Sequence, residues 1–198
     1  MSRSEHGPAY RIEHERMVAR CWSPSDAVKW RAALDDSDLH LRPWIPWMKD
    51  EPKPLYETAG WLRKMRANFD MDESVVLGET GLYTRAGKGA REIGYLVVRE
   101  QTGKGYAKLA TTLMVKVAFE IDKIDRVEIH CAPENAPSAA IPEKLGFKHE
   151  ATLKRRMVAP DGEVHDSMVW TLFAADYPGS PSSEVELQAF DCLGERLL

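Results

Sequence analysis

Long apolar runs are missing from this chain of 198 residues. No stretch approaches the ~18 apolar residues a membrane-spanning helix needs, and the opening "MSRSEHGPAYRIEHERM" holds no apolar leader segment. The chain is therefore expected to stay in the cytoplasm, with no membrane partner. Cysteine is scarce as well. Cys21, Cys131 and Cys192 are widely spaced and odd in number, which excludes a disulfide framework and a Cys-x-x-Cys metal site. Free thiols and no metal are the expectation. Nor is there an excess of positive charge: 27 Lys and Arg face 31 Asp and Glu, a net charge of -4, which removes a general electrostatic footprint for nucleic acid. The six tryptophans form no repeated stacking motif, so no nucleic-acid code is read.

What is present is ordinary for a globular protein, with 43% apolar and 29% charged residues and a length that fits one domain. That domain is read over residues 10 to 178, with 1 to 9 and 179 to 198 as terminal extensions. A moderately apolar stretch from Ile12 to Cys21 reads as a strand, and "SPSDAVKW" then starts a helix capped by Ser23 or Ser25. Four prolines and two tryptophans in "LRPWIPWMKDEPKP" (41 to 54) forbid a long regular element and point to a loop with aromatic anchors. Helical spacing resumes with Tyr56, Trp61, Leu62, Met65 and Phe69. "SVVLGETGLYTR" and "REIGYLVV", joined by "AGKGA", read as a hairpin. After a glycine-bearing loop, Tyr106, Ala110, Leu113, Met114, Val117 and Ile121 mark an amphipathic helix. "RVEIHCA" is a short strand, and "ENAPSAAIPEKLGF" a helix capped by Asn135 and ended at Gly146, with Phe147 folding back. Strands over about Lys148 to Val158 and Val164 to Phe173 flank the turn "APDG". The remaining tail reads as a linker ending in a short helix.

The glycine loop "REQTGKGYAKLA" is built for an anion, because small residues at a helix start expose several backbone N-H groups and the helix dipole favours negative charge. It is not a Walker A loop, which requires Gly-Lys-Ser/Thr. It is not a dinucleotide fingerprint either, since Lys108 holds the sixth position and the flanking elements read as antiparallel rather than βαβ. A diphosphate fits.

With Thr102, Gly103, Lys104, Gly105, Tyr106 and Ala107, the loop resembles the Q/R-x-x-G-x-G/A signature of the GNAT superfamily of acetyl-CoA-dependent N-acetyltransferases. Thr102 stands where glutamine or arginine is usual. Downstream, "NAPSAAIPEKLGF" is similar to the family's N-x-x-S/A-x-x-x-x-E-K-L-G-F segment. "LRPWIPW" and "EIGYLVV" resemble the branch of RimJ/RimL type, which acetylates ribosomal-protein N-termini. The resemblance implies a mixed α/β (α+β) fold, in which a mainly antiparallel, twisted, seven-stranded sheet splays between strands 4 and 5 and is flanked by helices. It implies acetyl-CoA as cosubstrate, held by residues 102 to 107, Asn135 and Ser138, with the backbone of Leu96 and Val98 extending a sheet-like pairing to the pantetheine arm. Lys104 and Lys108 are within reach of the 3'-phosphate.

Acetyl transfer to an amine needs a neutral nucleophile, yet an alkyl ammonium has a pKa of about 10, so a base must take a proton. By resemblance Glu92 is the candidate base; an exposed strand-end glutamate is the competing reading, and Glu79 and His130 are alternatives. Relatives protonate the leaving thiolate with a tyrosine seven residues after the motif asparagine. That slot here is Pro142, which has no donor. Ser138, one turn earlier, is the candidate to meet the sulfur, against a reading as a helix-start cap; Pro142 also lacks the N-H that would pair with its carbonyl. Cys131 reads as a buried strand residue rather than a nucleophile. Trp44 and Trp47 are candidates for a rigid wall of the acceptor site, against a reading as loop anchors. Three functions stay open: acetylation of a protein N-terminus, acetylation of a small amine or antibiotic, and a non-catalytic coenzyme-A-binding module. The chain is read as a monomer or homodimer.

Overall fold

The computed structural model describes residues 9–66, 77–159, 162–191 and 194–198. Phe69, the Ser74–Val76 start of the "SVVLGETGLYTR" strand, Pro160 and Asp161 of the turn, and Cys192 lie outside the described residues.

The first apolar stretch is two strands where one was expected. β1 (Arg11–His14) and β2 (Met17–Arg20) pair antiparallel in a hairpin that bends at the polar pair Glu15 and Arg16. Ser23 then caps as expected: its hydroxyl accepts from the Ser25 amide at 3.2 Å, and the Asp26 carboxylate accepts from the Ser23 amide at 2.7 Å. This reciprocal box satisfies amides that have no helical partner and launches a 3-10 turn that leads into α1 (Ala27–Leu41). Trp30, Leu34 and Leu41, spaced by a turn or two, are buried. α2 (Leu55–Arg66) follows the proline-rich loop. Arg42 braces that loop by donating to the carbonyls of Met48 (2.7 Å) and Glu51 (3.3 Å).

β3 (Gly78–Tyr83) and β4 (Ala90–Val97) form the expected hairpin. α3 (Tyr106–Glu120) leads to β5 (Arg126–Cys131), which lies parallel to β4. The loop is thus flanked by a βαβ unit after all, contrary to the antiparallel reading: a helical crossover carries the chain back to the same end of the sheet, so the next strand must run parallel. α4 (Ala136–Lys144), β6 (Lys148–Val158) and β7 (Val164–Phe173) complete a five-stranded sheet of order β3-β4-β5-β7-β6. Gly146 ends α4 at φ +81°, and the Phe147 amide returns to the Pro142 carbonyl at 3.0 Å.

The tail departs from the reading as linker and short helix. β8 (Gln188–Phe190) pairs antiparallel with β1, making a second sheet of order β2-β1-β8. Ala189 is fully buried, so the strand is held by packing as well as by its ladder. Among the described residues, seven strands lie between Arg11 and Phe173, and β8 is the eighth.

Two apolar clusters sit on opposite faces of the large sheet. Ile93 of β4 joins the cluster with α3, β5 and Phe147, whereas Leu96, three residues on, joins Trp30, Met48 and Leu62. Side chains alternate along a strand, and these two positions therefore point to different layers. Among the described residues no helix is long and apolar enough to cross a membrane.

Candidate active site

β4 and β5 pair over three residues, Ala90–Glu92 against Arg126–Glu128, and then part. Beyond the parting, Tyr95 of β4 faces His130 and Cys131 of β5 across a cleft. Its floor is the start of α4, at Asn135 and Ser138. Its rim is Pro43–Pro46 on one side and the β6–β7 hairpin with His165 on the other. The splay that the resemblance implied is this gap.

At the far end of β4 lies the glycine loop. Gly103 and Gly105 have φ of +73° and +82°, and a Cβ placed on either would meet nothing within 4 Å. Left-handed backbone is cheap for glycine, and the space above it is open. Leu109 is the residue whose amide returns to Gly105, at 3.0 Å, and amides earlier in a first turn have no helical partner. Small Ala107 keeps the approach clear. The loop therefore fits a diphosphate through backbone donors. Thr102 acts locally, its hydroxyl donating to the Arg99 carbonyl at 2.9 Å, and the Lys104 ammonium donates to Gln101 at 3.0 Å. Lys108 is exposed on the same turn. Arg16, from the β1–β2 bend, donates to the Lys104 carbonyl at 3.0 Å and lies 6.0 Å from the centre of the Tyr106 ring. It brings to the loop a guanidinium that the Thr102 slot lacks.

Leu96 and Val98 do not present their backbone to the cleft. The Val98 amide donates to the Leu77 carbonyl at 3.0 Å. Hydrogen-bonding sides alternate along a strand, so the peptide groups of Leu96 face β3 too, and those directed toward β5 belong to Tyr95 and Val97. The expectation was one residue out of register. The Leu96 and Val98 side chains are core.

Asn135 caps α4, accepting from the Ser138 amide at 3.2 Å. The cap is thus Asn135, and the Ser138 hydroxyl is left to other partners. It lies 3.0 Å from the Tyr95 phenol oxygen, and the same cleft holds the buried Cys131 thiol, whose pKa burial raises. On β5, His130 Nε2 is 2.9 Å from Glu128 Oε2, and the other Glu128 oxygen accepts from Arg126 at 2.8 Å. Arg126 also donates to the Ala86 carbonyl at 3.0 Å. A buried carboxylate held by a cation orients this imidazole at the cleft, an arrangement suited to proton transfer.

Glu92 sits before the parting and does not line the cleft. Both its carboxylate oxygens accept from Arg85, at 2.6 and 3.1 Å, and the guanidinium stacks 4.4 Å from the Tyr83 ring centre. Tyr83 in turn hydrogen-bonds Glu79, whose carboxyl is pushed up to about 7 by burial. The Tyr83 phenol is pushed up to about 12, first by burial and then by the Glu79 charge. Trp44 lines the cleft; Trp47 is more than a third exposed and does not. No cluster of potential metal ligands occurs among the described residues.

A family model described as an acetyltransferase (GNAT) domain matches residues 16–148. The chain belongs to the GNAT family. A GNAT relative, the putative ribosomal N-acetyltransferase YdaF of Bacillus subtilis (strain 168), is 33% identical over 88 residues, covering 44% of this chain and 48% of that protein. The chain thus matches about half the length of that curated relative. It is also similar to the [Ribosomal protein uS5]-alanine N-acetyltransferase of Escherichia coli (strain K12), 26% identical over 189 residues, 87% of this chain and 95% of that one. Among solved structures, Mycobacterium smegmatis RimJ in complex with CoA-disulfide superposes with a TM-score of 0.70 at 24% identity, over 90% of this chain and 91% of that one, and shares the GNAT fold.

Reading the residues in order missed Tyr95, Arg16 and Glu128. The pairing of Glu128 with His130 at i and i+2 on one strand face was a legible signal. Arg16 gave none, because its approach to the loop depends on how the two sheets meet.

Proposed function

We propose that this protein transfers the acetyl group of acetyl-CoA to an amine by direct attack, and that the amine is a protein N-terminus. The observation that carries this reading is the cleft where β4 and β5 part, lined by Tyr95, His130 and Ser138 and rimmed by Trp44, on the strand that leads into the glycine loop. Acetyl-CoA supplies an acetyl group activated as a thioester. Residues 102 to 107 hold its diphosphate by backbone amides, helped by Arg16 and Lys104, and the Tyr95 and Val97 peptide groups align the pantetheine arm. Asn135 and Ser138 line the cleft.

A positively charged ammonium cannot attack, so a proton must leave first. We assign that step to His130, oriented by Glu128, in preference to Glu92, whose carboxylate is engaged by Arg85. Ser138 faces the departing sulfur. The N-terminal acceptor is favoured by similarity to the uS5-alanine enzyme across nearly the whole chain. The test is release of free thiol from acetyl-CoA against a panel of N-terminal peptides, small amines and antibiotics. Transfer to peptides with a free α-amine is expected. Transfer to small amines alone moves the acceptor to that class, and coenzyme binding without any transfer leaves a binding module.

A further inference from the structure

In an α-helix the carbonyl of residue 138 accepts from the amide of residue 142, and Pro142 has none. The Ser138 carbonyl is nevertheless satisfied. The phenol of Tyr95, 43 positions away on β4, donates to it at 3.1 Å and lies 3.0 Å from the Ser138 hydroxyl oxygen. Tyr95 stands past the point where β4 and β5 part, so its ring crosses the gap to reach α4. The proline that removes the usual tyrosine slot is thus what leaves a socket for a tyrosine from another element.

We propose that Tyr95 is a positioning residue for the leaving-group side of the reaction, docked on the carbonyl that Pro142 leaves open so that it fixes the Ser138 hydroxyl toward the coenzyme sulfur. The inference rests on the acetyl-CoA reading above. A phenol has one proton, which Tyr95 donates to the Ser138 carbonyl, while its oxygen holds the Ser138 hydroxyl at 3.0 Å in a hydrogen bond that either oxygen can donate. In the proposed arrangement with coenzyme bound, the Ser138 hydroxyl turns its one hydrogen to the sulfur and its oxygen takes a share of the Tyr95 proton. A sulfur, that of Cys131, lines the same cleft as that hydroxyl. Burial holds the Tyr95 phenol far above its ordinary range, so it stays protonated at any working pH and remains a donor. During transfer the new C-N bond forms as the C-S bond breaks, with the electron pair left on sulfur. His130 passes the first, ammonium proton to solvent before attack and takes the second as the amine becomes an amide. Ser138 donates a hydrogen bond to the sulfur without losing its proton, and solvent protonates the thiolate on release.

The test uses the full chain and coenzyme A itself, following thiolate absorbance of the bound coenzyme against pH. In the unaltered protein the bound thiol is expected to be about tenfold more acidic than in Tyr95→Phe, one pKa unit. Binding of the neutral thiol at low pH should change less than twofold, and kcat should fall with KM for acetyl-CoA held. Pro142→Ala returns an amide to the Ser138 carbonyl and competes with Tyr95, so it should lose part of the same effect. The double variant should be no worse than Tyr95→Phe, since the two changes break one arrangement. Bound-thiol ionisation unchanged in both single variants, or additive losses in the double, overturns the role of Tyr95. Failure of the unaltered protein to bind coenzyme A overturns the proposed function, and this inference with it.

Discussion

Replacing Glu79 by glutamine should make the protein more stable at alkaline pH and leave it nearly unchanged at acid pH. Glu79 lies on β3 opposite Leu96, on the face that packs against the Trp30 cluster, and burial is the first cause of its raised carboxyl. Its folded pKa of about 7 exceeds the ordinary 4.5, so between those values the folded state binds a proton that the unfolded state has lost. Stability therefore falls as pH rises from about 4.5 to about 7 and is level above. At about 1.4 kcal/mol per pH unit the full span is about 3 kcal/mol, and partial exposure of β3 reduces it to about 2. Glutamine is neutral throughout and still accepts from Tyr83, so the penalty vanishes. For a chain of this size ~2 kcal/mol is about 6 °C in Tm. Thermal unfolding followed by circular dichroism from pH 5 to 9 should show the two proteins coinciding at the acid end and diverging by that amount by pH 8. Tyr83→Phe removes the hydrogen bond that favours the ionised carboxylate, and its slope should move to higher pH. Two Tm curves that run parallel across the range would refute burial of an ionisable Glu79 as the cause.

His130→Ala should lower kcat about 100-fold while leaving the Kd for acetyl-CoA unchanged, the usual size for loss of a general base. A greater loss in Glu92→Gln, measured by the same thiol-release assay, would return the role to that carboxylate. Gly105→Ala places a side chain at φ +82°, a left-handed conformation that costs an L-residue about 1–2 kcal/mol. Calorimetric titration should show roughly tenfold weaker coenzyme A binding, and equal affinity would mean the loop does not hold the diphosphate. Ala189→Glu buries an unpaired charge between β1 and the core and should cost at least about 3 kcal/mol in urea unfolding. A change below 1 kcal/mol, by the same principle, would mean that β8 is not docked in solution.

Much of the architecture was written locally. The helix over Tyr106–Glu120 follows from apolar spacing, the Asn135 cap and the Gly146 stop from side-chain and backbone requirements inside one turn, and the β6–β7 hairpin from apolar strands around a turn. What failed were readings that depend on partners far along the chain. β8 has weak strand character, and it is a strand because β1 offers an open edge and a buried slot for Ala189. The one-residue error at Leu96 and Val98 has the same origin: which peptide groups face β3 is set by register, and Leu77 claims the Val98 amide.

By itself the sequence established a glycine loop at a helix start, a capped helix with a proline in the place of the expected donor, and through these a family and a cosubstrate class. Those features need hydrogen-bond partners within a few residues, so a short window contains their whole physics. The tertiary structure decided which residues meet at the cleft and at the loop. Tyr95 meets Ser138 because β4 and β5 part after three paired residues and α4 packs across the gap, and Arg16 meets the loop because one sheet lies beside the other. Pro142 leaves a carbonyl open in the helix by its chemistry alone; only the folded chain brings the phenol that fills it.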